Sequence, residues 1–196
     1  MTAVAIERGR ATVSAAWISI GTVATGLAIL LARPAIASTV GWSVPVVAGL
    51  FATILVLGVA APAGHERRAH PASVTWQASV FAAGALVFVL GRSISSGRGP
   101  MPATAVFVSL NILAAIAEEA LFRRVAFDAL LPAGPIAAIG GSAFVFGLAH
   151  VTVYGWWAFP IDLAAGVVFG WQRWASGSWV VPAATHALAD LLAVIQ

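Results

Sequence analysis

Five ionisable side chains stand out because they sit in stretches built almost wholly from Ala, Leu, Ile, Val, Phe and Gly: Glu118 and Glu119, His150, and His186 with Asp190. A charge inside an apolar helix is costly, so such residues usually face a protein interior or a watery cavity and mark function. A glutamate beside a histidine can take a proton from water by general base catalysis. A second histidine can donate to the oxyanion that forms when a peptide carbonyl is attacked. The same groups could instead hold zinc through Glu118, His150 and His186, with the metal acidifying the water. The sequence leaves both mechanisms open.

Spacing assigns partners. Glu119 and Arg123 are four apart on one helical face, with the acid N-terminal to the base, the favourable order for an ion pair. Glu118 points about 100° away. Arg123 therefore neutralises one glutamate while the other, with no such partner, stays available for proton transfer. Phe146 and His150 share a face, as do His186 and Asp190. Arg124 and Asp128, also four apart, read as a structural pair outside the site, and Asp162, inside an apolar run after Pro160, has no assigned role. At ~1.5 Å per residue, Glu118 and His150 each lie ~20 Å from the Pro132–Pro135 loop between their helices, and so sit level.

The elements that must carry these residues are membrane helices. The chain is 61% hydrophobic and only 9% charged, and a soluble surface cannot be covered with so few polar groups. Apolar runs recur at the length that crosses a bilayer. The expected fold is all-α, a polytopic transmembrane bundle of about seven spans. They run near 11–31, 44–61, 74–90, 103–131, 136–151, 157–171 and 178–195, the first ended by Arg33-Pro34. Trp156, Trp157, Trp171, Trp174 and Trp179 fall at the expected ends, where tryptophan favours the interface. Gly166 and Gly170 form a GxxxG step suited to close helix approach.

Between the spans, residues 65–71 (with His65 and His70) and 92–102 read as aqueous loops. Residues 1–102 are expected to form scaffold helices and residues 103–196 the catalytic core of one integral membrane domain. The absence of cysteine excludes disulfides and thiolate chemistry. A net charge of +3 scattered over loops offers nucleic acid no stripe to bind. Glu7, Arg8 and Arg10 precede an apolar run with no small-residue cleavage site, which suits an uncleaved first span, and the arginine balance puts the N-terminus in the cytoplasm.

Glu118-Glu119-Ala120-Leu121-Phe122-Arg123 resembles the EExxxR signature of the CAAX prenyl endopeptidase and bacteriocin-processing family (Abi or CPBP proteases). Phe146–His150 resembles its FxxxH motif, and His186–Asp190 its HxxxN/D motif, in the family's order over residues 103–196. The resemblance implies an intramembrane endopeptidase in which Glu118 and His150 activate water, Glu119 and Arg123 support them, and His186 and Asp190 stabilise the oxyanion. Prenyl-protein processing members typically carry asparagine at the position of Asp190. An anion is a poor oxyanion donor, so Asp190 is also a candidate to orient His186. The cofactor is either absent or zinc. The partners implied are membrane lipid and a membrane-associated peptide or protein substrate, with a bacterial plasma membrane as the setting. Two rival readings remain: a non-catalytic immunity or adaptor protein of the same fold, and a proton-coupled transporter.

Overall fold

The computed structural model describes residues 3–41, 43–62, 72–94 and 104–194, and all their regular structure is helical. The helices are α1 (Ala3–Val40), α2 (Val44–Ala60), α3 (Val74–Ile94), α4 (Ala105–Ala133), α5 (Pro135–Tyr154), α6 (Phe159–Ser176) and α7 (Val180–Val194). Four contain stretches long and apolar enough to cross a membrane: Ser14–Ile36, Val74–Ser93, Ala105–Ala133 and Pro135–Tyr154. Helices α2 and α7 are apolar but shorter. Large apolar side chains face outward, among them Trp17, Val56, Leu86, Leu90 and Ile136. Lipid is the solvent that suits such a surface, and the chain is an integral membrane protein.

Several helix ends depart from the sequence expectation. Helix α1 does not stop at Arg33-Pro34 but continues to Val40 with Pro34 inside it. Proline removes one backbone hydrogen bond and crowds the preceding turn, which membrane helices tolerate where neighbours compensate. As a result Arg33 lies within the helix and is only 8% exposed. Helix α3 runs past Leu90 to Ile94, so Arg92 belongs to its last turn. Helix α6 extends to Ser176, which puts Trp171 and Trp174 in its final turns. His65, Arg67, Arg68, His70 and Arg98 fall outside the described residues.

Helix α4 is the axis of the bundle, packed against α1, α2, α5 and α7. It begins at Thr104, whose hydroxyl accepts from Phe107 N at 3.2 Å, a side-chain cap for an otherwise orphaned donor. From Ala120 to Ala126 it widens into a π-helix, with Phe127 N–H reaching back to Phe122 O. Four consecutive residues here, Ala120, Leu121, Phe122 and Arg123, are 0% exposed, so the segment is enclosed on every side. A 3₁₀ turn over Leu131–Ala133 and Gly134, at φ 103°, then reverse the chain into α5. The core around this axis is built from Leu30, Phe51, Ile54, Leu121, Phe122, Phe146 and Phe169.

Small residues set the helix spacing. A Cβ at Gly58 would lie 2.9 Å from the Ala120 backbone, and one at Gly166 would lie 2.9 Å from Ala143 Cα. The Gly166–Gly170 step thus brings α6 against α5, as its GxxxG spacing suggests. Gly140, by contrast, has nothing within 4 Å of its Cβ direction. Gly166→Ala is expected to destabilise the bundle by about 1–3 kcal/mol through overpacking. Gly140→Ala should raise stability by about 0.5–1 kcal/mol, the ordinary gain for a helical glycine with free space. Thermal unfolding of the two variants in detergent checks both signs.

Candidate active site

The site starts from the two residues that precede the π segment of α4. Glu118 is 3% exposed and Glu119 is fully buried. Being adjacent, they diverge around the helix and meet different partners. Glu118 Oε2 lies 3.5 Å from His150 Nε2 on α5. His150 Nδ1 is 2.9 Å from Phe146 O one turn earlier. A carbonyl only accepts, so Nδ1 carries the hydrogen and Nε2 is the nitrogen turned to the carboxylate. Tyr154, one turn further along α5, stacks on the imidazole with ring centroids 5.9 Å apart.

Glu119 forms the second cluster. Its Oε1 accepts from Arg123 Nη1 at 3.0 Å and also receives His186 Nδ1 at 3.1 Å, which ties α7 to α4. His186 Nε2 faces Asp190 Oδ1 at 3.9 Å. Both ring nitrogens therefore look toward carboxylates, and the tighter contact is with Glu119, so the main orienting group for His186 is the glutamate. Phe146 separates the two histidines, its centroid 4.7 Å from His150 and 5.6 Å from His186. The six residues singled out by sequence thus gather at α4, α5 and α7 as two acid–histidine clusters on either side of one phenyl ring.

Arg123 anchors the arrangement without any exposed surface. Its Nη2 donates to Gly166 O at 3.0 Å, a carbonyl within reach because Gly166 lets α6 come close. The guanidinium lies over the rings of Phe146 at 4.6 Å and Phe169 at 5.2 Å. Desolvated cation–π contacts of this kind contribute ~2 kcal/mol. Phe169 also stacks on His186 at 4.8 Å. One α6 residue therefore braces both the arginine and the histidine.

One sequence reading needs correction and the others need additions. Glu118 is not free of a basic neighbour: Arg33 Nη1 on α1 lies 4.0 Å from its Oε1. The clue was an arginine inside an apolar run, at helical spacing from Gly26 and Leu30, but Arg33-Pro34 read as a span end. Arg124 and Asp128 have partners that their four-residue spacing did not reveal. Asp128 pairs with Arg173 Nη2 at 2.8 Å, and Arg173 Nε donates to Arg123 O. Arg124 donates to the carbonyls of Gly58 and Ala61 at the end of α2. Pro62 has no N–H to give Gly58 O in the α-helical register, so the arginine replaces the missing donor. Tyr154 and Phe169 were also missed. The spacing of Tyr154 from His150 on one helix face could have identified the former.

The zinc alternative can be tested on the donors. His150 Nε2 turns toward Glu118, but the Phe146 ring stands between His150 and His186. Among the described residues no three His, Asp or Glu side chains are grouped to hold a metal ion. Glu118, His150 and His186 do not fit a tetrahedral site as they stand.

Two buried acid–histidine pairs thus lie among the helices of this membrane protein. Residues 100–192 match the family model described as Rce1-like, type II CAAX prenyl endopeptidase Rce1-like. This segment is therefore an Rce1-like domain, in line with the CPBP resemblance of its three motifs. It comprises α4 to α7, while α1 to α3 lie outside the match. No curated protein and no solved structure matches the chain.

The Glu119–Arg123 pair yields a quantitative expectation. Arg123→Ala strands a buried carboxylate and should destabilise the protein by about 3–5 kcal/mol. Combining it with Glu119→Gln should cost less than the two single changes summed, because the stranded charge is gone. A double-mutant cycle by thermal unfolding reads the coupling, and additive effects would contradict it.

Proposed function

We propose that the protein is an intramembrane endopeptidase that hydrolyses membrane-associated peptides or proteins with a water activated by Glu118 and His150. The supporting observation is the 3.5 Å approach of Glu118 Oε2 to His150 Nε2 in a buried site. A water held by both groups loses its proton to Glu118 as its oxygen bonds to the scissile carbonyl carbon, and the C=O π pair moves onto oxygen. Collapse of the tetrahedral intermediate breaks the C–N bond, and Glu118 returns the proton to the leaving nitrogen. No acyl-enzyme forms.

His186 and Asp190 attend the oxyanion side in this reading, and Glu119 with Arg123 holds His186 in place. The doubly protonated imidazole is the form that can donate from Nε2 while Nδ1 stays on Glu119. The enzyme would act in a bacterial plasma membrane with its N-terminus in the cytoplasm. Substrates reach the site from the lipid, which suits peptides that are themselves apolar or lipid-anchored.

Purified protein in nanodiscs, incubated with a membrane-peptide library, is expected to cleave. Glu118→Gln and His150→Ala should each lower kcat by about 10²–10⁴-fold, the usual contribution of a general base. Activity should survive chelation. Loss of cleavage with chelator and its return with zinc would contradict the metal-free reading. Unchanged turnover in Glu118→Gln would contradict the role of that residue. A folded wild type that cleaves nothing would move the protein to the non-catalytic reading.

A further inference from the structure

We infer that Arg33, from the N-terminal half, contacts the reacting carbonyl oxygen and serves as an oxyanion donor; this rests on the hydrolytic reading above. Arg33 is 8% exposed, and its guanidinium lies 5.8 Å from the Phe51 ring centroid. Its Nη1 approaches Glu118 Oε1 at 4.0 Å, on the carboxylate oxygen not facing His150. Arg33 and His150 thus flank Glu118 from α1 and α5.

The contact is too long to use up the arginine. A charge-assisted N–H···O bond to a carboxylate closes to about 2.7–2.9 Å and commonly engages two nitrogens of the fork. Here Nε and Nη2 are both buried and have no hydrogen-bond partner among the described residues. Leaving buried donors of a charged group without an acceptor is costly. An arginine serving only as counter-ion to Glu118 would close that gap. One held back with two unused donors is set for an oxygen that arrives with the substrate.

The position of the guanidinium identifies that oxygen. The attacking water must lie within hydrogen-bond reach of Glu118. The carbonyl oxygen is bonded to the carbon under attack. A cation 4.0 Å from Glu118 is therefore near the oxygen that gains the π electron pair, and much nearer than any group several residues along the substrate. The donor strengthens as negative charge develops, which is the condition for lowering the barrier rather than merely binding substrate. Helix α1 is packed to allow this. Gly26, two turns before Arg33 on the same face, meets the Leu121 side chain so closely that a Cβ would lie 2.5 Å from it.

The test uses full-length enzyme in nanodiscs and a peptide that wild type cleaves, made with a free and with an amidated C-terminus. Arg33→Gln should lower kcat by about 10²–10³-fold, equally for both peptides, with KM little changed. Arg33→Lys keeps the buried charge beside Glu118 and should retain the wild-type unfolding transition, yet still lose kcat because one ammonium replaces the planar fork. Guanidinium ion added to Arg33→Ala should restore part of the turnover and should do nothing for Glu118→Gln. Unchanged kcat in folded Arg33→Lys and Arg33→Gln would overturn the inference and leave the protease reading intact. A loss confined to KM for the free-carboxylate peptide would also overturn it, by making Arg33 a receptor for the substrate terminus. A folded wild type that cleaves no peptide would remove the hydrolytic reading and this inference together.

Discussion

A guanidinium with no exposed atom, in a bundle whose outer surface is apolar, is the constraint on which the rest of the site depends. A charge so placed is tolerated only if every neighbour compensates it. Arg123 meets this at its two Nη atoms, through Glu119 and the Gly166 carbonyl, and over the faces of Phe146 and Phe169, while its Nε has no hydrogen-bond partner among the described residues. These partners come from α4, α5 and α6, and Glu119 carries the linkage on to His186 of α7. One compensated charge therefore fixes the relative positions of four helices. It also takes one glutamate of the adjacent pair out of play, leaving Glu118 to face a different histidine.

Proline and glycine shape the scaffold around this charge. Gly58, Gly166 and Gly170 remove side chains where α2 and α6 must touch their neighbours. Prolines remove backbone donors, and an orphaned carbonyl finds a substitute: Arg124 serves Gly58 O, which Pro62 has no N–H to reach. Polar side chains that look like extra site residues in the sequence thus turn out to complete backbone hydrogen bonding. The acids and histidines not spent in this way are the ones that face each other.

Much of the arrangement was legible because helical spacing is local. The Glu119–Arg123 pair, the shared faces of Phe146 with His150 and of His186 with Asp190, and the reversal at Pro132–Pro135 all follow from counting residues on one or two helices. What was hidden is of two kinds. Contacts between distant helices, such as Arg33 with Glu118 and Arg173 with Asp128, have no signature in spacing. The π segment at Ala120–Ala126 is buried at every residue but Arg124, so it shows no apolar stripe from which its period could be read. Pro34 misled for a physical reason: its lost hydrogen bond usually ends a helix in water, but this helix lies in a bundle surrounded by lipid.

The central claim is that Glu118 moves a proton and does not attack the substrate. A single turnover in ¹⁸O-labelled water, followed by mass analysis of both the new peptide carboxylate and the enzyme peptide that contains Glu118, tests it most directly. Water activation predicts one ¹⁸O in the product and none in Glu118. An ¹⁸O atom in the Glu118 side chain with an unlabelled product would mean that the carboxylate attacked the carbonyl and was regenerated by water, and would contradict the account.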